Sequence, residues 1–209
     1  MKTKLIINAD DYGLSPLFNK GIVELAKEGV ISSLSVMIRR NFIDVAELKN
    51  LKNISLGLHL ELKEDDALEE IESQIKAFEH KLGFLPSHLD SHKHPHLTKN
   101  NLPKVITIAQ KYSLPLRSYM AANRKLIKNA GLKTPDAYID WHPERIAILE
   151  NDFQKLSVPV AEMVCHPGYF DKNSTSSYNE RRKQELNFLK SAQFKEMIKK
   201  FKIINYYEL

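Results

Sequence analysis

Short apolar runs and longer amphipathic stretches alternate along this chain. "KLIINAD" (4–10) is an apolar run ending in polar residues, the pattern of a buried strand. "SPLFNKGIVELAKEG" (15–29) follows and reads as a helix: Ser15 supplies an N-cap, Pro16 suits the first turn and Gly29 closes it. The same pairing then recurs. "ISSLSVMI" (31–38) predicts a strand and "FIDVAELKNL" (42–51) a helix; "ISLGLHLEL" (54–62) a strand and "ALEEIESQIKAFEHKLG" (67–83) a helix. "PSHLDSH" (86–92) predicts a fourth strand, "NLPKVITIAQKYS" (101–113) contains the next helix, and "LPLRS" (114–118) is a candidate fifth strand. Residues 120–153 read as short helices and loops around "WHPERIAIL". "VPVAEMVCH" (158–166) is a strand, "NERRKQELNFLKSA" (179–192) a helix and "FKIINYY" (201–207) a last strand.

Strands alternating with helices imply right-handed βαβ units on a parallel sheet. The expectation is an α/β fold, a distorted or incomplete (β/α) barrel of about seven mostly parallel strands, in a single domain over 1–209. A doubly wound sheet would normally carry a phosphate loop, and the chain has neither G-x-G-x-x-G nor G-K-[ST].

Composition narrows this little. The 209 residues are 43% hydrophobic, enough for a substantial core, and the net charge of +5 comes from dispersed lysines with small clusters at 181–183 and 199–200. No basic stripe interleaved with aromatics marks a nucleic-acid surface. No apolar run approaches a membrane span, and the N-terminus does not read as a signal peptide. The lone Cys165 fits a reducing compartment, so a cytoplasmic protein without nucleic-acid or membrane partners is expected.

Polar residues gather where the predicted strands end. Asp10 and Asp11 end the first, His59 lies near the end of the third, Asp90 and His92 end the fourth, Arg117 the fifth and His166 a later one. In parallel α/β folds these ends converge on one face, where sites form. "HLDSHKHPH" (88–96) is the densest stretch. If extended, it points His88, Asp90, His92, His94 and His96 to one side, with Pro95 soon ending any ladder. His80 and His142 have no assigned role, and Cys165 reads as core because strand neighbours face opposite sides. One carboxylate with two imidazoles from different strands makes a mononuclear metal site with open positions. A second carboxylate beside it suits a general base, and a histidine on the opposite wall a general acid.

Five motifs carry a resemblance: "NADDYGLS" (8–15), "GLHLEL" (57–62), "HLDSHKHPH" (88–96), "LRS" (116–118) and "EMVCHPGY" (162–169). In this order they resemble the YdjC-like carbohydrate deacetylase family, which includes chito-oligosaccharide deacetylases. Lys93 departs from the histidine run often found after "DS", and the segment between His59 and His88 is compact. The resemblance implies that Asp11, His59 and His92 are metal ligands, Asp10 the catalytic base and His166 the general acid. It implies that Arg117 lines the pocket, and that His94 and His96 lie near the site as substrate or supporting groups. Asp90 is expected either to orient a metal-bound histidine or to serve as a structural residue at the strand end. The implied activity is metal-dependent hydrolysis of an N-acetyl group on an amino sugar or short chito-oligosaccharide. The ligand types favour zinc, with magnesium or another divalent ion as alternatives, and the family is compatible with a homo-oligomer. The rival readings are another metal-dependent hydrolase, an amidohydrolase or phosphoesterase, and a non-catalytic sugar- or metal-binding protein on the same scaffold.

Overall fold

A computed structural model describes residues 2–141 and 146–209. The chain's first strand, β1 (Lys4–Tyr12), is buried on both faces, and its alternation organises everything around it. Leu5, Ile7 and Ala9 join the main apolar core, whereas Ile6 packs with Ile204 and Tyr206 in a separate cluster. Asn8 and Asp10 share the Ile6 side, and Asn8 Nδ2 donates to Ser35 Oγ at 2.9 Å.

The other strands repeat the division. They are β2 (Ser33–Val36), β3 (Ser55–Leu60), β4 (Leu89–Ser91), β5 (Ala137–Asp140), β6 (Val160–Cys165) and β7 (Lys202–Ile203). All pair in parallel, in the order β4-β3-β2-β1-β6-β5, with β7 beside the start of β1 before its pairing with β2 begins. The sheet curls into a distorted (β/α) barrel. Leu34, Leu56, Leu58, Leu89, Ala161 and Met163 face outward into the core. The concave side instead carries Ser33, Ser35, Ser55, His88, Asp90 and Glu162, all buried. Tyr206, in a 3₁₀ turn at Tyr206–Glu208, fills the N-terminal end of the curl with its ring stacked on His88 at 3.6 Å.

The helices are α1 (Pro16–Lys27), α2 (Val45–Asn50), α3 (Leu68–Leu82), α4 (Leu102–Tyr112), α5 (Ala121–Asn129), α6 (Ile146–Lys155), α7 (Asn179–Lys190) and α8 (Ala192–Ile198). Ser15 caps α1 by accepting from Leu17 N at 3.1 Å, and Gly83 closes α3 in the left-handed region at φ 84°.

Three sequence expectations need correction. "LPLRS" adds only an isolated bridge, Leu89 to Leu116, because Pro115 cannot donate to a ladder. The fifth strand is Ala137–Asp140, inside the region read as helices and loops. The last strand stops after two residues, where Asn205 caps the 3₁₀ turn. Of the remaining stretch, His142 and residues 143–145 lie outside the described residues.

The 88–96 segment is not extended throughout. Lys93 and His94 adopt φ of 62° and 63°, and Pro95–Leu97 forms a 3₁₀ turn. The five even-numbered side chains therefore do not share one face beyond His92.

Candidate active site

Neighbouring residues on a strand face opposite sides, yet Asp10 and Asp11 both line one cleft at the C-terminal rim. The backbone explains it. Asp11 sits in the left-handed region at φ 71°, and the register of β1 against β2 shifts between Ala9 and Tyr12. Aspartate tolerates this conformation better than most residues, and the strain, on the order of 1–3 kcal/mol, falls at the polar cluster.

Asp10 is held from below. Arg117 Nη1 donates to its Oδ2 at 2.7 Å, Nη2 donates to Oδ1 at 2.9 Å, and Asn8 Nδ2 donates to Oδ1 at 2.7 Å. Burial pushes the Asp10 pKa up, but the Arg117 guanidinium and His59 together more than offset this and leave it below the usual carboxylate value. Arg117 is fully buried; it does not line the cleft but lies beneath it. It also pairs with Asp90 at 2.8 Å and Glu162 at 2.9 Å.

Asp11 faces two imidazoles. Its Oδ1 lies 3.2 Å from His59 Nε2 and 3.1 Å from His92 Nδ1. His59 and Asp90 are register neighbours on β3 and β4, and His59 Nδ1 lies 2.8 Å from Asp90 Oδ1. With Nδ1–H donated to Asp90, Nε2 is directed at Asp11; in the metal-free site Nε2 carries a proton shared with Asp11, and the carboxylate partner fixes the ring in the orientation of metal-ligating histidines. Burial alone would raise the Asp11 pKa, yet hydrogen bonds from His59 and His92 hold it well below the usual range.

One ligand atom each from Asp11, His59 and His92 lies within 4.8 Å of the others. Two imidazole nitrogens and a carboxylate oxygen, brought together with one tautomer fixed, fit a divalent transition ion. Asp10, His59 and Asp90 meet the same distance criterion, but the Arg117 guanidinium already bridges those two carboxylates. The first cluster offers two imidazoles and all three of its members line the cleft, whereas Asp90 of the second is fully buried outside it.

His166 follows β6 on the opposite wall, its Nε2 4.0 Å from Asp10 Oδ2. Its backbone N–H donates to Glu185 Oε2 at 2.5 Å, and its ring meets Tyr178 edge-on at 5.4 Å. Burial pushes its pKa down to about 4. His94 lines the cleft with Nε2 3.3 Å from Tyr138 Oη, bringing the two edges of the sheet together. His96 does not reach the cleft. It is fully buried between Ser91 Oγ at 2.5 Å and the Arg117 carbonyl at 3.2 Å, a supporting position.

The cleft has a volume of about 960 Å³, and the Asp171–Tyr178 segment forms one of its walls. Several contributors escaped the sequence reading: Asn8, Ser35, Glu162, Arg182 and Glu185. Arg182 Nη2 donates to Asp11 Oδ2 at 2.5 Å, although it belongs to the basic cluster at 181–183 that reads as surface. Only the position of Asn8 and Glu162 on the inward side of a buried strand signalled them.

The family model described as YdjC-like protein matches residues 4–69 and 63–200. A carbohydrate deacetylase of Thermoanaerobacter pseudethanolicus is 32% identical over 88% of this chain and 90% of its own length. A chitooligosaccharide deacetylase of Yersinia enterocolitica is 28% identical over 95% of both chains. A crystal structure of a protein assigned to cellobiose-phosphate cleavage, from Enterococcus faecalis V583, superposes with a TM-score of 0.84 at 26% identity, covering 100% of this chain and 99% of that one. Matched over nearly its whole length, the chain belongs to the YdjC-like family.

Proposed function

We propose that this protein is a metal-dependent carbohydrate deacetylase that hydrolyses the N-acetyl group of an amino sugar or short chito-oligosaccharide. The observation that carries the reading is the meeting of Asp11, His59 and His92 at one point of the cleft, with Asp10 and His166 beside it. Relatives that align over most of the chain are carbohydrate and chitooligosaccharide deacetylases.

Asp11, His59 and His92 would hold the ion, and zinc suits this donor set better than magnesium. A divalent ion there supplies Lewis acidity toward an acyl oxygen and a water. The remaining work falls to the chain's own groups. Asp10 stays ionised at neutral pH, the form that accepts a proton from water, and its bidentate contact with Arg117 fixes its direction. His166 is neutral at the same pH, so the proton it gives to the departing amine is one gained during the cycle. Asp10 stands 4.0 Å away, a gap one water bridges, and is the nearest source. Water thus supplies the hydroxyl of acetic acid and the proton of the amine.

The test is an acetate-release screen over N-acetylated mono- and oligosaccharides, with metal-free protein reconstituted with zinc, cobalt, manganese or magnesium. Release of acetate and free amine in equal amounts, dependent on added metal, is the expected result. Absence of release from every substrate, or full release without metal, overturns the reading.

A further inference from the structure

Arg182 has no part in that mechanism, and its position demands an explanation. It projects from α7 yet is only 1% exposed, with its guanidinium 4.3 Å from the Phe18 ring centre. Its Nη2 donates to Asp11 Oδ2 at 2.5 Å, while Nε and Nη1 have no hydrogen-bond partner among the described residues. Asp11 is its one carboxylate partner among the described residues. A permanent cation is therefore buried against the carboxylate that would bind a second cation, and Coulomb repulsion opposes that binding.

A buried charge is tolerated only when paired. Arg182 and Asp11 are each only 1% exposed, and the guanidinium meets the Oδ2 that the two histidines leave unpaired. We propose that Arg182 is the resident counter-ion of Asp11. It holds Oδ2, and so turns Oδ1 toward the two histidines, when the metal is absent, and its charge loosens the hold on the metal when it is present. This rests on the metal reading above. A residue that merely aimed Asp11 would act oppositely, since loss of such a partner weakens metal binding by about 10–100-fold.

The experiment uses the full chain stripped with a chelator, as wild type, Arg182→Met, Arg182→Lys and the double variant Asp11→Asn with Arg182→Met. Zinc affinity is read by calorimetric titration and stability by thermal melts. Metal-free Arg182→Met should lose about 6–20 °C in Tm, because one partner of a buried pair is gone. It should recover on adding zinc and bind zinc at least about tenfold more tightly than wild type. Arg182→Lys, which keeps the charge, should stay near wild type in both measurements. The double variant, with neither charge, should regain most of the lost Tm and thus carries the result should Arg182→Met fail to fold. Weaker zinc binding by Arg182→Met, an unchanged metal-free Tm, or a double variant no more stable than the single one overturns the proposal. Wild type that binds no zinc overturns the metal reading together with the affinity half, and the metal-free melts still decide the counter-ion half.

Discussion

Asp10 and Asp11 carry the same side chain one residue apart, and the fold gives them different partners. Asp10 is gripped by Arg117 and Asn8, and Asp11 by His59, His92 and Arg182. Asp11→Asn replaces the anionic member of the proposed ligand set, so bound metal should be largely lost. It also strands Arg182 without a counter-charge, so the variant should melt below wild type. Asp10→Asn should keep the metal, with turnover falling by about 10²–10⁴, the usual size of general-base catalysis. Elemental analysis and acetate release on the same preparations separate the two. Metal loss from Asp10→Asn but not from Asp11→Asn reverses the roles. The strand-end pattern put both aspartates together and only the resemblance told them apart; the physical cause of their separation, the left-handed backbone at Asp11, leaves no mark in the letters. Arg182 was illegible for a different reason: a helix of weak amphipathic pattern hides which of its cations turns inward.

At the scale of elements, strand ends were legible and irregular segments were not. The strands with clear apolar runs were legible, because burial on both faces gives a short continuous apolar run and burial on one face a two-residue period. The short β5, "AYID", sits between two helices, and its four residues offer too few positions for a period to emerge. Packing of strand against strand gives a prediction at Gly57. It lies on the concave side of β3, where an added Cβ would fall 2.1 Å from His88 Cε1. That ring is pinned by its stack on Tyr206 and cannot yield freely. Gly57→Ala should therefore destabilise by about 1–3 kcal/mol, the usual cost of overpacking. A denaturation midpoint equal to wild type would show that the His88 layer can shift.

Helix α7 offers a pH-dependent contact with β6. Burial raises the Glu185 pKa to about 7, with Arg181 only partly offsetting it. The folded protein thus binds a proton at Glu185 that the unfolded chain, with an ordinary glutamate, has released. Its contribution to stability is complete below the unfolded pKa and is lost as pH rises through about 7. The full swing is on the order of 3 kcal/mol. Glu185→Gln still accepts from the His166 N–H but cannot titrate. Denaturant titrations from pH 5 to 8 should show wild type losing stability relative to this variant as pH rises. A constant difference would mean that Glu185 is ionised throughout.

The whole molecule turns on an inversion of the usual barrel, in which the curl is packed with polar side chains and the apolar core lies outside it, beneath the helices. The inward positions of β1, β2, β3, β4 and β6 supply hydroxyls, carboxylates and imidazoles, and Arg117 ties three strands together through Asp10, Asp90 and Glu162. The sequence showed the alternation that makes this possible, in "NAD", "SLS" and "HLD", but not the arginine that joins it. Arg117 stands on a segment that is hardly a strand, and its carboxylate partners lie far away in sequence. This hub yields the prediction with the clearest sign. In the wild type, burial raises the pKa of Asp10 and Asp90 but the charges of Arg117 and His59 together more than reverse it, so their stabilising contribution exists above the ordinary aspartate value and is lost as pH falls. Arg117→Met removes the larger of the two offsetting charges and leaves burial, the strongest influence on both groups, opposed mainly by His59. The same carboxylates then hold their protons in the folded state, and stability is lost as pH rises through the raised values. Near neutrality the variant should be destabilised by about 3–5 kcal/mol or more, against a total of about 5–15 kcal/mol for a typical domain. Arg117→Lys should rescue it only in part, since one ammonium cannot reproduce the forked contact. Melts at pH 5 and pH 8 should therefore show the Met variant more stable at the lower pH relative to wild type. A Met variant that tracks wild type at both values would mean that the carboxylates are neutralised by His59 and their own protons, and that Arg117 is dispensable to the barrel.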